Sequence, residues 1–415
     1  MNFQDIYDSR DKYFLTSSNT TKGGIALCFV IGAVTIAAGF AAGDPTRVWG
    51  SILLNLMYFF GLALGGIAFA AMQDTVGAVW GRPIMRLHES FSSFLPVAAV
   101  LFTIFLICIK FDVASAGRVY SWVADPHILD HFWGKKDWLI LDFMIVRDIF
   151  ALACIVVLAM WQLRQKLTRD KLMLAGNADA AKTEGLQAQK RLRYWSGPVL
   201  VVYALCFSLL AFDFTMSLAP LWYSTLWGGW SFAIMMQTLM ASTLLIMFSL
   251  KSTVIGQVMG RQQFHDVGKL MHGFTIFFAY LTYAHVLTYW YGNMPEFSEY
   301  YLHRLHAPWV YIVMATPILV FVIPLFALIP KASKWTPVAT IPLCGLILFA
   351  QWLTYILIVA PQTTKGSWAV PWIEFGVFLG VLGIFLSCIM WFGKRYPMVG
   401  IADPLLPEAL AGGHH

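Results

Sequence analysis

Charged residues are scarce in this sequence of 415 residues: they make up 12% of it, whereas hydrophobic residues make up 59%. A soluble domain carries about twice this charged fraction. Several apolar runs exceed the roughly 20 residues that a helix needs to cross a bilayer. Alternating ten-residue segments, which are typical of a membrane β-barrel, are missing. The sequence therefore predicts an all-α integral membrane protein rather than a set of soluble domains.

Motifs that hold metals, haems or nucleotides are also missing. None of the six cysteines belongs to a C-x-x-C pair, which excludes a zinc knuckle, an iron–sulfur run and a haem c attachment site. Walker A, H-E-x-x-H and G-x-G-x-x-G patterns are absent. The net charge is +6, but no basic and aromatic stretch indicates binding of nucleic acid. We therefore predict no redox centre or metal on this chain.

The hydropathy pattern divides the chain into ten predicted membrane spans and a few polar segments. We predict a cytoplasmic N-terminal segment at 1–22, transmembrane helices 1–4 within 23–162, a charged cytoplasmic linker at 163–196, transmembrane helices 5–10 within 197–392, and a cytoplasmic tail at 393–415. The spans are predicted at 23–43, 48–73, 89–110, 138–162, 197–218, 229–250, 268–290, 308–330, 336–360 and 370–392.

Lysine and arginine are distributed unevenly between the two sides of these spans. The linker at 163–196, which contains RQKLTRDK and QKRLR, lies on the same side as both termini. Loops rich in lysine and arginine stay in the cytoplasm. We therefore expect both termini to be cytoplasmic and the protein to contact membrane lipid.

Four ionisable residues lie inside predicted spans 4 and 5, toward the outer side: Asp142, Arg147, Asp148 and Asp213. Charged side chains inside a membrane cost free energy, so each of them is a candidate functional residue by default. At 1.5 Å per residue, Arg147 lies about 13 Å and Asp213 about 10 Å below the outer surface. We expect Arg147 to pair with Asp213, or with Asp148 or Asp142, which would leave Asp213 to titrate. These four residues either fix the packing of the helices only, or carry protons.

Span 7 opens with a second polar group, Asp266, Lys269 and His272. On a helical wheel, Lys269, His272 and Tyr283 fall within about 60° of one another, whereas His285 points elsewhere. Such a stripe predicts a path from the cytoplasm toward the middle of the membrane. The alternative is that Lys269 and His272 lie at the interface and extend their polar tips into water.

His272 and His285 stand on one predicted helix at a spacing reminiscent of b-type haem ligands. Each haem would need a second histidine from another helix, and His88 is at the cytoplasmic edge of its span. We therefore predict no haem b. Two function classes remain: a proton- or quinone-handling subunit of a respiratory complex, and a stand-alone secondary transporter with a midplane site.

Two long blocks are distinctive: AFDFTMSLAPLWYSTLWGGW at 211–230 and FHDVGKLMHGFTIFFAYLTYAHVLTYWYGNMPEFSEYYLHR at 264–304. They resemble hallmark segments of the ActF subunit of alternative complex III. KKDWLILDFMIVR at 135–147 resembles the segment that leads into that family's fourth helix. The resemblance extends over about ten helices and covers most of the chain.

The resemblance implies an NrfD/PsrC-like membrane subunit with two four-helix bundles and flanking helices. Such a subunit belongs to a quinol:cytochrome c oxidoreductase, or to one that delivers electrons to a terminal oxidase, in the bacterial inner membrane. Its partners would be an ActC-like paralogue, an iron–sulfur protein, a multihaem cytochrome c and the quinol pool. Haem c and iron–sulfur clusters would be in those partner subunits.

Quinol oxidation is assigned chiefly to the ActC-like subunit, so the resemblance implies that this chain supplies a proton path and a scaffold. The alternatives are an NrfD-like anchor with its own quinone site and a stand-alone proton-coupled transporter. The positions that match the family are Arg147, Asp213, His265, Asp266, Lys269 and Glu296. The family commonly has glutamine where this chain has His285. A path through the second bundle is expected, from His265, Asp266, Lys269 and His272 to Asp213.

Overall fold

The computed structural model describes residues 8–130, 134–293, 295–364 and 370–411, and the side chains of Arg10 and of 295–297 are outside this description. This part of the chain is helical and contains no strand, so the all-α prediction is confirmed. Ten of its helices are long and apolar enough to cross a membrane. They are α1 (Asn19–Ala41), α2 (Pro45–Val76), α3 (Arg82–Lys110), α4 (Leu141–Leu174), α5 (Ala178–Leu218), α6 (Trp227–Leu250), α7 (Arg261–Gly292), α8 (Trp309–Ala327), α9 (Pro337–Thr363) and α10 (Trp372–Arg395).

The ten helices run alternately up and down, so α1 begins and α10 ends at the same end of the molecule. We call this the terminal end and the opposite one the far end. Helices α2, α3, α4 and α5 pack in a closed ring, and α6, α7, α8 and α9 form a second ring. Helices α1 and α10 pack on each other and against α2. The expected pair of four-helix bundles with flanking helices is therefore present.

Burial differs between the helices as a membrane environment requires. Nearly all of the apolar stretch of α2 is buried, whereas α1 and α8 expose most of theirs. Large apolar side chains such as Val34, Phe150, Leu205 and Phe326 are exposed on the outer faces. Since lipid is as apolar as these side chains, an outer surface of this kind suits a bilayer and not water.

The helix ends follow local capping chemistry. Ser18 Oγ accepts a hydrogen bond of 3.1 Å from the Thr21 amide at the start of α1. Helix α2 begins at Pro45, whose fixed φ suits a first turn, and ends at Val76, just before Gly77, which has a φ of 64°. Several helices extend beyond the predicted spans because the apolar pattern ends before the helix does.

The predicted linker at 163–196 is almost entirely helical. Helix α4 continues to Leu174, and α5 already begins at Ala178. The two helices therefore project past the apolar stretch as a helical hairpin. Its charged residues are not all solvated, because Lys166, Arg169 and Asp170 are buried.

Candidate functional site

A bidentate ion pair joins α4 to α5 near the far end. Arg147 Nε lies 2.6 Å from Asp213 Oδ2, and Arg147 Nη2 lies 2.7 Å from Asp213 Oδ1. Asp213 is 1% exposed, so its carboxylate is fully removed from solvent. Two parallel N–H···O bonds between planar groups are the strongest arrangement of this kind. Of the predicted alternatives, the structure has the Arg147–Asp213 pair.

Trp138, at the far-end entrance to α4, covers this pair. Its carbonyl accepts a hydrogen bond of 2.6 Å from Arg147 Nη1, and its indole Nε1 donates to Asp213 Oδ1 at 3.2 Å. The guanidinium carbon lies 4.1 Å from the centre of the indole ring. The pair is thus hydrogen-bonded and shielded on one side by an aromatic face.

Asp142 takes no part in this cluster. It forms an ion pair of 2.8 Å with Lys110, and both side chains are largely exposed. Surface ion pairs of this type contribute little to stability. The prediction that Asp142 belongs with Arg147 is therefore not supported by the geometry, because five residues on one helix turn the two side chains about 140° apart.

Asp148 is buried beside the ion pair but accepts no hydrogen bond from Arg147. Neither of its carboxylate oxygens accepts a hydrogen bond from any residue that the structure describes. Asp213 is close enough to act on it electrostatically, as it does on Tyr120. A buried ionised carboxylate without donors is costly. No described donor group therefore holds Asp148, and only the Asp213 carboxyl is close enough for a hydrogen bond, which needs a proton shared between the two acids.

Tyr120, in the loop between α3 and α4, closes the cluster from the far end. Its hydroxyl donates a hydrogen bond of 3.1 Å to the Phe214 carbonyl. Burial, and then the Asp148 and Asp213 carboxylates, raise the pKa of Tyr120 well above its usual value. Tyr120 thus stays a neutral hydrogen-bonding group against two acidic side chains.

His285, on α7, lies in the second bundle beside two indoles that contact each other. The centre of its ring is 6.2 Å from that of Trp227 and 5.9 Å from that of Trp230. Trp227 Nε1 donates to Thr215 Oγ1 at 2.8 Å, two residues after Asp213. The far-end polar groups of the two bundles therefore approach each other across one tryptophan.

The predicted stripe along α7 does not face the bundle interior. Tyr283 is 63% exposed, and the Lys269 side chain is 54% exposed. Lys269 pairs with Asp266 at 2.6 Å, and His265 packs with its ring centre 5.3 Å from that of Trp335. The helical wheel grouped Lys269, His272 and Tyr283 on one face, but it could not show which way that face points.

The terminal-end group around α7 is completed by Lys334, which follows α8 in the chain. Its ammonium donates to the Leu328 carbonyl and so caps the last turn of α8. Burial, and then the positive charge of Lys269, lower the pKa of Lys334. His272 lies nearby, and its Nδ1 has no hydrogen-bond partner among the described residues. Glu296, which the resemblance also selected, has a side chain outside the described residues.

Two glutamines cross the middle of the second bundle. Gln351 Nε2 donates to Gln237 Oε1, and Gln237 Nε2 donates to Thr275 Oγ1 at 2.9 Å and to the Val320 carbonyl at 3.2 Å. The Val320 carbonyl is available because Pro324, four residues later, has no N–H to donate. Helix α8 widens to a π-helix at Ile318–Val322 in this place.

A larger charged network at the terminal end was not expected from the sequence. It comprises four cations and four carboxylates, all 5% exposed or less, from α2, α3, α4 and the C-terminal segment. They are Arg82, Arg86, Lys166, Arg169, Asp74, Glu89, Asp170 and Asp403.

The network is matched in charge and closely connected. Lys166 Nζ lies 2.6 Å from both Asp74 and Glu89. Arg86 bridges Glu89, at 2.8 Å, and Asp170. The sequence held a signal for this site, because Lys166 and Asp170 alternate with Leu163 and Leu167 at helical spacing.

Together, the fold and these clusters define a helical integral membrane protein with polar centres inside both bundles. In comparisons with known proteins, no family model matches the chain, and no curated protein matches it. The described residues contain no group of three or more His, Cys, Asp or Glu that could hold a metal ion.

The predicted path is divided between the two bundles. Asp213 belongs to α5 in the first bundle, whereas His265, Asp266, Lys269 and His272 belong to the terminal-end part of α7 in the second. The Arg147–Asp213 pair instead shares its bundle with the terminal-end network. Three members of that network, Lys166, Arg169 and Asp170, are on the same helix as Arg147. The path expected through the second bundle is therefore not a continuous set of neighbours.

Proposed function

We propose that the chain is a membrane subunit of a quinol-oxidising respiratory complex in a bacterial inner membrane, similar to ActF, and that it conducts protons. The proposal rests on the burial and the bonding of the Asp148 carboxyl. A carboxyl at membrane depth that accepts no hydrogen bond from a described donor, and that lies within hydrogen-bonding reach of a second carboxyl, can bind and release a proton without dismantling the fold.

The first bundle supplies the two ends of the proposed path. Asp148 and Lys166 are both on α4, and at 1.5 Å per residue they are about 27 Å apart along the axis. Between them, Tyr203 donates a hydrogen bond of 2.8 Å to Gln162 Oε1. Leu152 and Ile155 are apolar and buried, so water must enter this section for protons to pass. This dry section would block proton transfer between the two ends until water enters it during turnover.

Membership of a complex is supported by the outer face of α7. Tyr280 and Tyr283 are each 63% exposed, although they lie well inside the apolar stretch of this helix. A phenol hydroxyl in contact with lipid tails would lack a hydrogen-bond partner. A neighbouring subunit that covers this face would provide one, which a stand-alone transporter would not require.

The proposed orientation has the terminal end in the cytoplasm. It is supported by the excess of lysine and arginine in the segments at that end. Protons would then enter through the terminal-end network and leave near Asp148. In this proposal the redox centres, haem c and iron–sulfur clusters, are in partner subunits such as an ActC-like paralogue, an iron–sulfur protein and a multihaem cytochrome c.

The test is purification in mild detergent through a tag on this chain, followed by mass spectrometry of the subunits and a reduced-minus-oxidised visible spectrum. A c-type haem band with co-purifying subunits is the expected result, because this chain has no haem c attachment sequence. A colourless chain that remains folded alone would overturn membership of the complex and favour the transporter.

A quinone site on this chain is a second candidate function, favoured by a cavity at the far end. The cavity has a volume of about 310 Å³ and is lined by Ser224, Thr288 and His285, among others. His285 Nε2 is buried and has no hydrogen-bond partner among the described residues, so a quinone oxygen that enters beyond the present cavity wall would find a free group there. A short-chain quinone should then bind the purified protein, and His285→Leu, but not His272→Leu, should weaken that binding.

A further inference from the structure

An open groove of about 660 Å³ runs along the outside of the first bundle, between α3, α4 and α10. It is separate from the far-end cluster, because its lining residues on α4 extend from Met160 to Lys171. At 1.5 Å per residue these two positions are about 16 Å apart, which is close to the length of an acyl chain.

The chemistry of the groove changes along its length. Its deeper part is lined by apolar side chains such as Val97, Met160 and Ile384. Its terminal-end part is lined by Arg164, Thr168 and Lys171, which are exposed and lie on one face of α4. A ligand that fits must therefore be apolar at one end and negatively charged or polar at the other.

The cations of the groove differ from the buried cations of the same helix. Lys166 and Arg169, on the opposite face of α4, are each paired with carboxylates of the network. Arg164 forms no ion pair with a described residue, and Lys171 makes only a cation–π contact, 5.5 Å from the centre of the Tyr396 ring. No aspartate or glutamate occurs among the lining residues. Two positive charges thus face the groove without an anion.

We propose that this groove binds an anionic phospholipid from the surrounding bilayer. Its phosphate would lie between Arg164 and Lys171, with the Thr168 hydroxyl close by, and one acyl chain would follow the apolar lining toward Val97. Charge complementarity and the polar-to-apolar order of the lining both specify this occupant. The site depends only on the membrane location of the chain and not on the function proposed above.

The experiment measures lipid retained by the full-length protein after purification with its native partners. The protein is equilibrated in micelles with equal amounts of phosphatidylglycerol and phosphatidylcholine of the same acyl chains, and bound lipid is quantified by native mass spectrometry. The unmodified protein should retain phosphatidylglycerol preferentially. The double variant Arg164→Gln, Lys171→Gln should lose this preference by about tenfold or more, since each cation near a lipid surface contributes about fivefold.

The matched control is Lys182→Gln, Lys190→Gln, which removes two exposed cations of the terminal-end hairpin that do not line the groove. It should retain phosphatidylglycerol as the unmodified protein does. Equal losses in both double variants would show a general charge effect and overturn the site. Equal retention of the two lipids by the unmodified protein would also overturn it, as would a protein helix filling the groove in the purified complex.

Discussion

At the scale of residues, the polar groups inside this protein fall into two kinds. Most are bonded so fully that they act as structural links, as Arg147 and Asp213 do through two N–H···O bonds. Asp148, one residue along from Arg147, accepts no hydrogen bond from a described residue. The sequence places both kinds at similar depth, and only the three-dimensional arrangement separates them.

Asp213→Asn is expected to destabilise the protein strongly. The change leaves the Arg147 guanidinium buried without its counter-charge, and breaking one partner of a buried ion pair costs about 3–5 kcal/mol. Thermal unfolding of the purified protein measures this loss. Asp142→Asn is the matched control, because its carboxylate is on the surface and should be replaced at little cost. Equal stability of the two variants would contradict a structural role for the pair.

At the scale of elements, hydropathy alone predicted the number of membrane helices and their approximate centres. It did not predict that α4 and α5 continue past the apolar stretch as a packed pair, because the composition of 163–196 is equally typical of a solvated helix and of a mobile connector. The helical wheel grouped Lys269 and Tyr283 correctly, but the direction of a face depends on which neighbours pack against it. Helix contacts of this kind are set by non-local geometry and not by the local pattern.

Close contact between α1 and α10 gives a prediction at this scale. A Cβ on Gly32 would lie 2.5 Å from Gly380 Cα, whereas a Cβ on Gly24 would meet no described atom within 4 Å. Gly32→Leu should therefore force α1 away from α10, while Gly24→Leu on the same helix should not. Crosslinking between cysteines introduced on α1 and α10 measures the separation. Equal crosslinking yields in the two variants would contradict the contact.

At the scale of the whole molecule, the terminal-end network joins parts of the chain that are far apart in sequence. Asp403 accepts a hydrogen bond of 2.7 Å from Arg169 and lies 3.5 Å from Arg82. The backbone amide of Ala402 donates to Asp170 at 3.1 Å. The C-terminal segment is therefore held against α3 and α4 by charge, which no single sequence window could have shown.

The contribution of Asp403 to this docking should be insensitive to pH across the physiological range. Burial alone would raise the pKa of the Asp403 carboxyl, but Arg169 and Arg82 outweigh it and hold the pKa well below its usual value. Because the folded-state pKa is depressed, the contribution to stability is present above the unfolded value of 3.8 and is lost as the pH falls further. Proteolysis of the C-terminal segment should thus be equally slow from about pH 5 to 8.

Two variants complete this prediction. Asp403→Asn should release the segment at neutral pH, because two arginines lose their carboxylate. Glu408→Gln removes an exposed carboxylate from the short helix Leu406–Ala411 that follows Asp403, and it should change nothing. Release of the unmodified segment between pH 5 and 7 would instead indicate control by another buried group, such as Asp170, and would contradict the dominant role of Asp403.

The most direct test of the proposed function is the number of protons released per electron during quinol oxidation by vesicles that contain the whole complex. Asp148→Asn removes the titratable carboxyl but keeps the side-chain volume, and Asp142→Asn is the control on the same helix. The account predicts that Asp148→Asn lowers this ratio while the complex assembles and still oxidises quinol. A ratio equal to that of the unmodified complex would contradict proton conduction through Asp148.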